Sequence, residues 1–310
     1  MTGIVNTGSF AKALWPGVNT WYGDAYNQYP VEWDKLFEKN TSRKAFEEDV
    51  GGSYFSLAVV KAEGAPVSFD SSRQGFTSRY NHVVYALGFI ITREIYDDDQ
   101  YDVVGKLKAQ SLAFSMRQTK EIVGANVYNR AFNTTYTGGD GSTLIASAGG
   151  GGSASHPNIA GGTFTNGVAA AVDLSEASLE QAVIDIAGFT NDRGLKIAVR
   201  PKTLIIPKEL MFEATRILKA DGRTGTDLND PNALKTMGMI PEVVVNHYLV
   251  DPDAWFLRTD VQNGLKYFER NGDEFTMDED FETENAKYKA RARYSFGWTD
   301  PRAIYGSPGA

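Results

Sequence analysis

Three features of the sequence predict an α+β fold. One is a run of alternating apolar residues bounded by turn signals. The second is a proline-free helical stretch of about thirty residues, and the third a closing pair of strands with opposite charge. Composition agrees with a packed core, since 42% of the 310 residues are hydrophobic and 23% are charged, enough for one large domain or two ordinary ones. Cysteine is absent, which excludes disulfides and thiolate metal sites. A net charge of −8 supplies no global basic field for nucleic acid. The apolar stretch Tyr85 to Ile91 falls far short of the roughly 20 residues of a membrane span. Met1 to Leu14 has neither the charged nor the apolar region of a signal peptide. The expectation is a soluble, acidic protein made in the cytoplasm.

The first fifty residues read as an arm. Trp15, Trp21 and Trp33 lie there with Tyr22, Tyr26, Tyr29 and Phe37, and Trp33, Leu36 and Phe37 form one helical stripe after Pro30. Aromatic area on a weakly patterned segment needs a cover, either its own core or a neighbouring subunit. From Gly51 the pattern turns to strand. Tyr54 to Lys61 is rich in β-formers and stops at Glu63-Gly64-Ala65-Pro66. Val67 to Phe69 continues it to the break at Asp70-Ser71-Ser72. Val83, Tyr85, Leu87, Phe89 and Ile91 then alternate with the smaller row Val84, Ala86, Gly88 and Ile90. Together these predict a long hairpin whose tip carries Lys61, Arg73 and Arg79. A lone two-stranded hairpin is marginal in water, so it needs a surface to lie on.

Asp97, Asp98 and Asp99 stand where a helix N-terminus favours carboxylates. Tyr101 to Phe132 follows with Val104, Leu107, Leu112, Met116, Val123 and Val127 at helical spacing, a rod of roughly 45 Å. Thr137 to Gly167 shifts to Gly, Ser, Thr and Asn and reads as a mobile loop or hinge between two lobes. The second lobe mixes helices at Ser175–Phe189 and Pro207–Leu218 with strands at Lys196–Arg200, Thr203–Ile206, Val243–Leu249 and Trp255–Leu257. Leu210, Met211, Ala214, Ile217 and Leu218 form the buried face of its second helix. Asp221 to Pro231 is turn-rich. Finally Glu274, Asp278, Asp280, Glu282 and Glu284 precede Lys287, Lys289, Arg291 and Arg293, which alternate with Tyr288, Ala290, Ala292 and Tyr294. A hairpin would set these charges across from each other at roughly 0.2–1 kcal/mol per pair and turn its apolar face to the long helix. The other reading gives the basic face to DNA or a second chain.

No catalytic, cofactor or metal residue is expected. His82, His156 and His247 lack a second histidine at ligand spacing, and His82 and His247 fall in strand patterns. A phosphate-binding loop, a nucleophile elbow and a calcium loop are all absent from the sequence. The carboxylates suit a solvated or cross-paired face better than general acid–base work.

One stretch carries a recognisable identity: Gly64-Ala65-Pro66-Val67-Ser68-Phe69-Asp70, then Gln74-Gly75-Phe76-Thr77, Tyr80-Asn81-His82, Ala86 to Glu94, and Asp97-Asp98. Thr203-Leu204-Ile205-Ile206-Pro207 and Gly297-Trp298-Thr299-Asp300-Pro301-Arg302 add to it. In these motifs and their order the chain resembles tailed-phage major capsid proteins of the HK-97-like fold, most closely the Mu-like major head subunit group. The resemblance implies an N-arm at 1–50 and an extended E-loop hairpin at 51–90. A P-domain with the spine helix follows at 91–134, an A-domain with the glycine-rich loop at 135–263, and P-domain terminal strands at 264–310.

The function implied is a structural shell protein that self-assembles into hexamers and pentamers of an icosahedral head around the genome. Subunit contacts are expected at Trp15, Trp21, Trp33, Lys61, Glu63, Arg73, Phe76 and Arg79. Some relatives carry a scaffolding region before the arm; here the arm leaves no room for one, so a separate scaffolding protein is expected, with a portal and weak, non-specific contact to packaged double-stranded DNA. Some relatives cross-link a hairpin lysine; Lys61 is the candidate, but no residue matches a cross-linking motif and no cross-link is expected. Assembly in the bacterial host cytoplasm and residence in the virion follow. Two other classes stay open on the residues alone, a tail-tube or decoration protein and an enzyme with a dispersed site. A long helix beside a long hairpin argues against a tube protein.

Overall fold

The structure, a computed structural model, describes residues 11–92, 94–95, 101–222, 230–280 and 285–310, with the side chains of 11–16, 101, 102 and 279 excepted. Helix α1 (Ala11–Gln28) packs along α2 (Tyr101–Asn129), the long helix that the spacing predicts. At 29 residues α2 is about 44 Å long. The expected carboxylate cluster at Asp97–Asp99 lies outside the described residues. After α1 a short 3-10 turn (Trp33–Lys35) carries Trp33, Leu36 and Phe37 into the core that contains Leu112, Met116 and Tyr128 of α2. Glu121 of α2 accepts the backbone N–H groups of Glu32 at 3.1 Å and Trp33 at 2.9 Å, and the Tyr128 hydroxyl donates to the Leu36 carbonyl. These bonds fix the turn against the helix.

Strands β1 (Glu38–Thr41), β2 (Phe46–Gly52), β3 (Gln74–Asn81) and β4 (Val83–Ile91) follow the turn. β5 (His156–Pro157) and β6 (Thr163–Phe164) pair within the glycine-rich segment. The second lobe holds α3 (Glu176–Ala187), β7 (Pro201–Ile206), α4 (Met211–Lys219), α5 (Ala233–Met237), β8 (Glu242–Val245) and β9 (Trp255–Thr259). Strands β10 (Leu265–Glu279), β11 (Ala286–Trp298) and β12 (Ile304–Ser307) close the chain. One sheet has the order β1-β10-β11-β4, the other β12-β9-β7-β8.

The β10–β11 hairpin has the register the charge pattern predicts, with Glu274 opposite Arg291, Asp278 opposite Lys287, and Met277 opposite Tyr288. Its other face buries Ala290, Ala292 and Tyr294 in the core shared with α2. In the second lobe Ser175 caps α3, accepting from the Ser178 N–H, and Leu179, Ala182 and Ile186 turn inward.

Several expectations are corrected. Tyr54–Lys61 forms no strand; the hairpin legs are β2 and β3, while β4 leaves the hairpin and joins β11 in the first sheet. Trp33 is 7% exposed and packs on Tyr267 and Phe296 of its own chain, so it is a core residue without a face for a neighbour. The last strand, β12, belongs to the second sheet, beside β9, and not to the sheet of β10 and β11 with which 264–310 is expected to run. Lys196–Arg200 has no strand beyond an isolated bridge to Thr190, His247 sits in a turn after β8, and Met211 is exposed. Of the turn-rich Asp221–Pro231, residues 223–229 lie outside the described residues.

The glycine-rich segment is not a surface loop throughout. Leu144, Ile145 and Ala146 are buried, as are His156 and Asn166. Asn166 supplies the hydrogen bonds that a ladder would otherwise provide. Its carbonyl accepts from Ala146 N–H at 2.8 Å, and its amide donates to the carbonyls of Leu144, Pro301 and Ile304. His156 bridges Asp140 at 2.6 Å and Asn166 at 3.1 Å. Glycine serves close approach here: a Cβ at Gly139 would stand 2.3 Å from the Thr77 carbonyl of β3, and one at Gly149 2.5 Å from Ala170. Composition marks small residues but does not say whether they make space for motion or for packing.

Candidate assembly surfaces

The hairpin is rigid at its root and bare at its tip. On β2, Asp49 accepts from Lys266 of β10 and from the Thr299 hydroxyl at 2.9 Å. On β3, Ser78 and Tyr80 are buried, and the Tyr80 hydroxyl lies 2.6 Å from that of Thr299. Beyond Gly52 the ladder ends with one bond, Ser53 N–H to the Arg73 carbonyl at 2.9 Å. Between those residues the chain has no strand pairing and turns at Ala62–Ala65, and Phe55, Leu57, Val59, Val60, Val67 and Phe69 are all more than 60% exposed. Burying such side chains is worth about 1.5–3 kcal/mol each, so an uncovered row of this kind marks a contact surface.

A polar clamp fixes the tip to the second lobe. The turn at Asn191–Gly194 is built by the Asn191 side chain, which accepts the N–H groups of Arg193 and Leu195 at 2.9 Å. It projects Asp192, which accepts the Tyr54 N–H at 3.1 Å, and Arg193. The Arg193 guanidinium donates to the Ser56 hydroxyl at 2.9 Å and the Ser71 carbonyl at 2.6 Å, and stands 3.4 Å from Asp70. Asp70 in turn accepts the N–H groups of Ser56 and Ser71, and these bonds first, with Arg193 behind them, hold its carboxyl below the usual carboxylate range. Both limbs of the tip are thus tied to one arginine. Between the hairpin root and the second lobe lies a cleft of about 210 Å³. Gly51 and Phe76 line one side of it and Arg302 another; the Arg302 guanidinium covers the Phe164 ring at 3.9 Å.

The second bare surface is the edge of the first sheet. Among the described residues β4 pairs with β11 alone, and Val83, Val84, Leu87 and Ile90 are each about half exposed along it. An unpaired apolar edge is a template for another chain.

Of the expected contact residues, Lys61, Glu63 and Arg73 lie exposed on the tip. Arg79 is not on the tip. It stands on β3, its guanidinium 3.8 Å from the Phe46 ring and 3.8 Å from Glu48. Phe76 faces the cleft. Trp21 is half-buried against the small cluster of Val18, Ile91, Ala109 and Tyr288, and the Trp15 side chain lies outside the described residues. The structure therefore brings three of the eight together and disperses the rest. Sequence reasoning missed Asp192, Arg193 and the β4 edge. Asn191-Asp192-Arg193-Gly194 reads as an ordinary turn, and only the fold brings it to Asp70.

Residues 75–307, well over half of the chain, match the family model for a phage capsid protein. No curated protein matches the chain. Among solved structures it is similar to a virus-like particle from Pyrococcus furiosus, with TM-score 0.56 and 10% identity over 94% of this chain and 98% of that one. The procapsid of bacteriophage JBD30 aligns with TM-score 0.52 and 14% identity over 98% of this chain and 76% of that one. The capsid of a native GTA particle aligns with TM-score 0.53 and 11% identity over 100% and 93%.

Proposed function

The chain belongs to the phage capsid protein family and is a structural major capsid protein of the HK-97-like α+β fold; we propose that its copies assemble as hexamers and pentamers of an icosahedral shell around the genome of a tailed phage or prophage. The observation that carries the assembly reading is the hairpin tip, an apolar row left uncovered among the described residues. A neighbouring subunit supplies that cover, and contacts of about 1,200–2,000 Å² are what a stable pair needs.

In this reading 1–50 is the N-arm, 51–90 the E-loop, 91–134 the spine and 135–263 the A-domain. The P-domain strands are then those from 264 to Trp298, since β12 has moved to the second sheet. Trp15, Trp21, Lys61, Glu63, Arg73, Phe76 and Arg79 remain contact candidates, while Trp33 does not. The protein works by packing and not by turnover, resides in the virion, and is assembled in the host cytoplasm with a separate scaffolding protein and a portal. DNA contact is weak and non-specific, as net charge −8 favours.

Negative-stain electron microscopy with sedimentation velocity on the purified protein tests this. Closed shells, hexamers or pentamers are expected. A protein that stays monomeric at high concentration, both alone and co-expressed with the phage's scaffold, would overturn it.

A further inference from the structure

Carboxylates outnumber cations on the walls of the cleft between the hairpin root and the second lobe. Among the described residues, Asp49, Asp140, Asp192 and Asp300 line it against a single cationic side chain, Arg302. Asp49 accepts from Lys266 and Thr299, Asp140 lies 2.6 Å from His156 Nδ1, and Asp300 accepts the Arg302 N–H at 2.9 Å. Asp192 is left short. It is only 5% exposed, and its Oδ1 accepts the Tyr54 N–H at 3.1 Å. Its Oδ2 is buried with no hydrogen-bond partner among the described residues. The nearby guanidinium groups are committed elsewhere, that of Arg193 to Ser56, Ser71 and Asp70, that of Arg302 to Thr190 and Asn158. A buried carboxylate oxygen without a donor is costly, and a cationic N–H donor satisfies it better than a neutral one.

The rest of the wall selects the kind of cation. A hard metal ion takes about six oxygen ligands. No group of three His, Asp or Glu side chains among the described residues is placed to hold one. Val50, Phe76, Ile159 and Phe164 instead give the cleft an apolar lining, which suits an alkyl stem behind a charged head. At about 210 Å³ the cleft is smaller than the pockets that hold drug-sized ligands, so the stem is short. We infer that this cleft binds a primary alkylammonium group, free or on a lysine side chain, whose N–H groups donate to Asp192 Oδ2. Asp192 also holds Tyr54 at the start of the hairpin tip, so the bound group sits where the hairpin meets the second lobe. The site stands on the chain's own geometry and does not depend on the assembly reading.

Isothermal titration calorimetry of the purified protein at fixed ionic strength tests this. Diaminobutane and Nα-acetyl-lysine amide are titrated separately, and saturable binding of at least one is expected. Tighter binding of the first identifies a free amine as the ligand, and of the second a lysine side chain. Tetramethylammonium, which has the charge without N–H donors, and magnesium are expected to give no saturable binding. Asp192→Asn keeps an oxygen for the Tyr54 N–H and removes the charge, so it is expected to weaken amine binding about tenfold or more. Asp253→Asn, at an exposed carboxylate outside the cleft, is expected to leave it unchanged. Equal binding of tetramethylammonium or magnesium, or no binding of either amine, would overturn the assignment, and both are read on the unsubstituted chain. Unchanged affinity in a folded Asp192→Asn protein would overturn it as well.

Discussion

At the scale of single residues, burial separates what holds the subunit from what the subunit offers outward. Trp33 fills the core between α2 and the first sheet, and truncation of a large core aromatic costs about 3–5 kcal/mol. Trp33→Ala is therefore expected to lose that much in urea unfolding of the dissociated subunit. Phe69→Ser, at a side chain 95% exposed, is expected to stay within about 0.5 kcal/mol while weakening assembly. The two variants together separate core from contact. His82 supplies a second test. It is buried between the hydroxyls of Ser295 and Ser42, at 3.0 and 3.1 Å. Burial first, and the nearby Arg293 second, lower its pKa from 6.5, with Glu47 acting in the opposite direction. The unfolded chain then takes up a proton before the native one, so stability contributed by neutral His82 is present above about pH 6.5 and falls as acidity rises through the window below it. His82→Asn is expected to flatten that part of the stability profile, measured as thermal midpoint against pH.

At the scale of elements, the clamp determines where the hairpin tip points. Arg193 binds both limbs of the tip, so Arg193→Ala is expected to release residues 53–73 from the second lobe without unfolding β2 and β3, whose root is held by Asp49 and Tyr80. Hydrogen exchange should quicken in the tip and stay slow in β3; unchanged tip exchange would show that the clamp does not hold it. The clamp also shows where sequence reasoning stops. The long helix was legible because burial of one stripe imposes a 3.6-residue period, and the terminal hairpin because alternate charges demand a partner of the opposite sign. The hairpin legs were not. Tyr54–Lys61 is rich in β-formers yet forms no strand, while the real leg, Phe46–Gly52, is mostly acidic and small. The glycine-rich segment misled in the same way. Its order comes from Asn166 and His156, single residues whose partners lie far away in sequence.

At the scale of the whole molecule, a subunit with two sheets and a shared core should fold by itself, and the uncovered hairpin tip should be needed only for company. The family match begins at residue 75, so it takes in β4, α2, the second sheet and all of the first sheet but β1, while the tip precedes it. The geometry makes the two requirements separable. Ser53 and Arg73 are hydrogen-bonded across the base of the tip, so a short turn can replace residues 54–72 without moving either leg. Little core is lost in doing so, because the removed apolar side chains are exposed in the isolated chain. The expected outcome is a soluble subunit with its native circular dichroism and a cooperative thermal transition, which forms no closed shell under conditions where the full-length protein does. Loss of the transition would show that the tip contributes to the fold. Normal shells from the shortened chain would place the essential contacts elsewhere, on the arm or on the edge of β4, and would remove the tip from the assembly mechanism altogether.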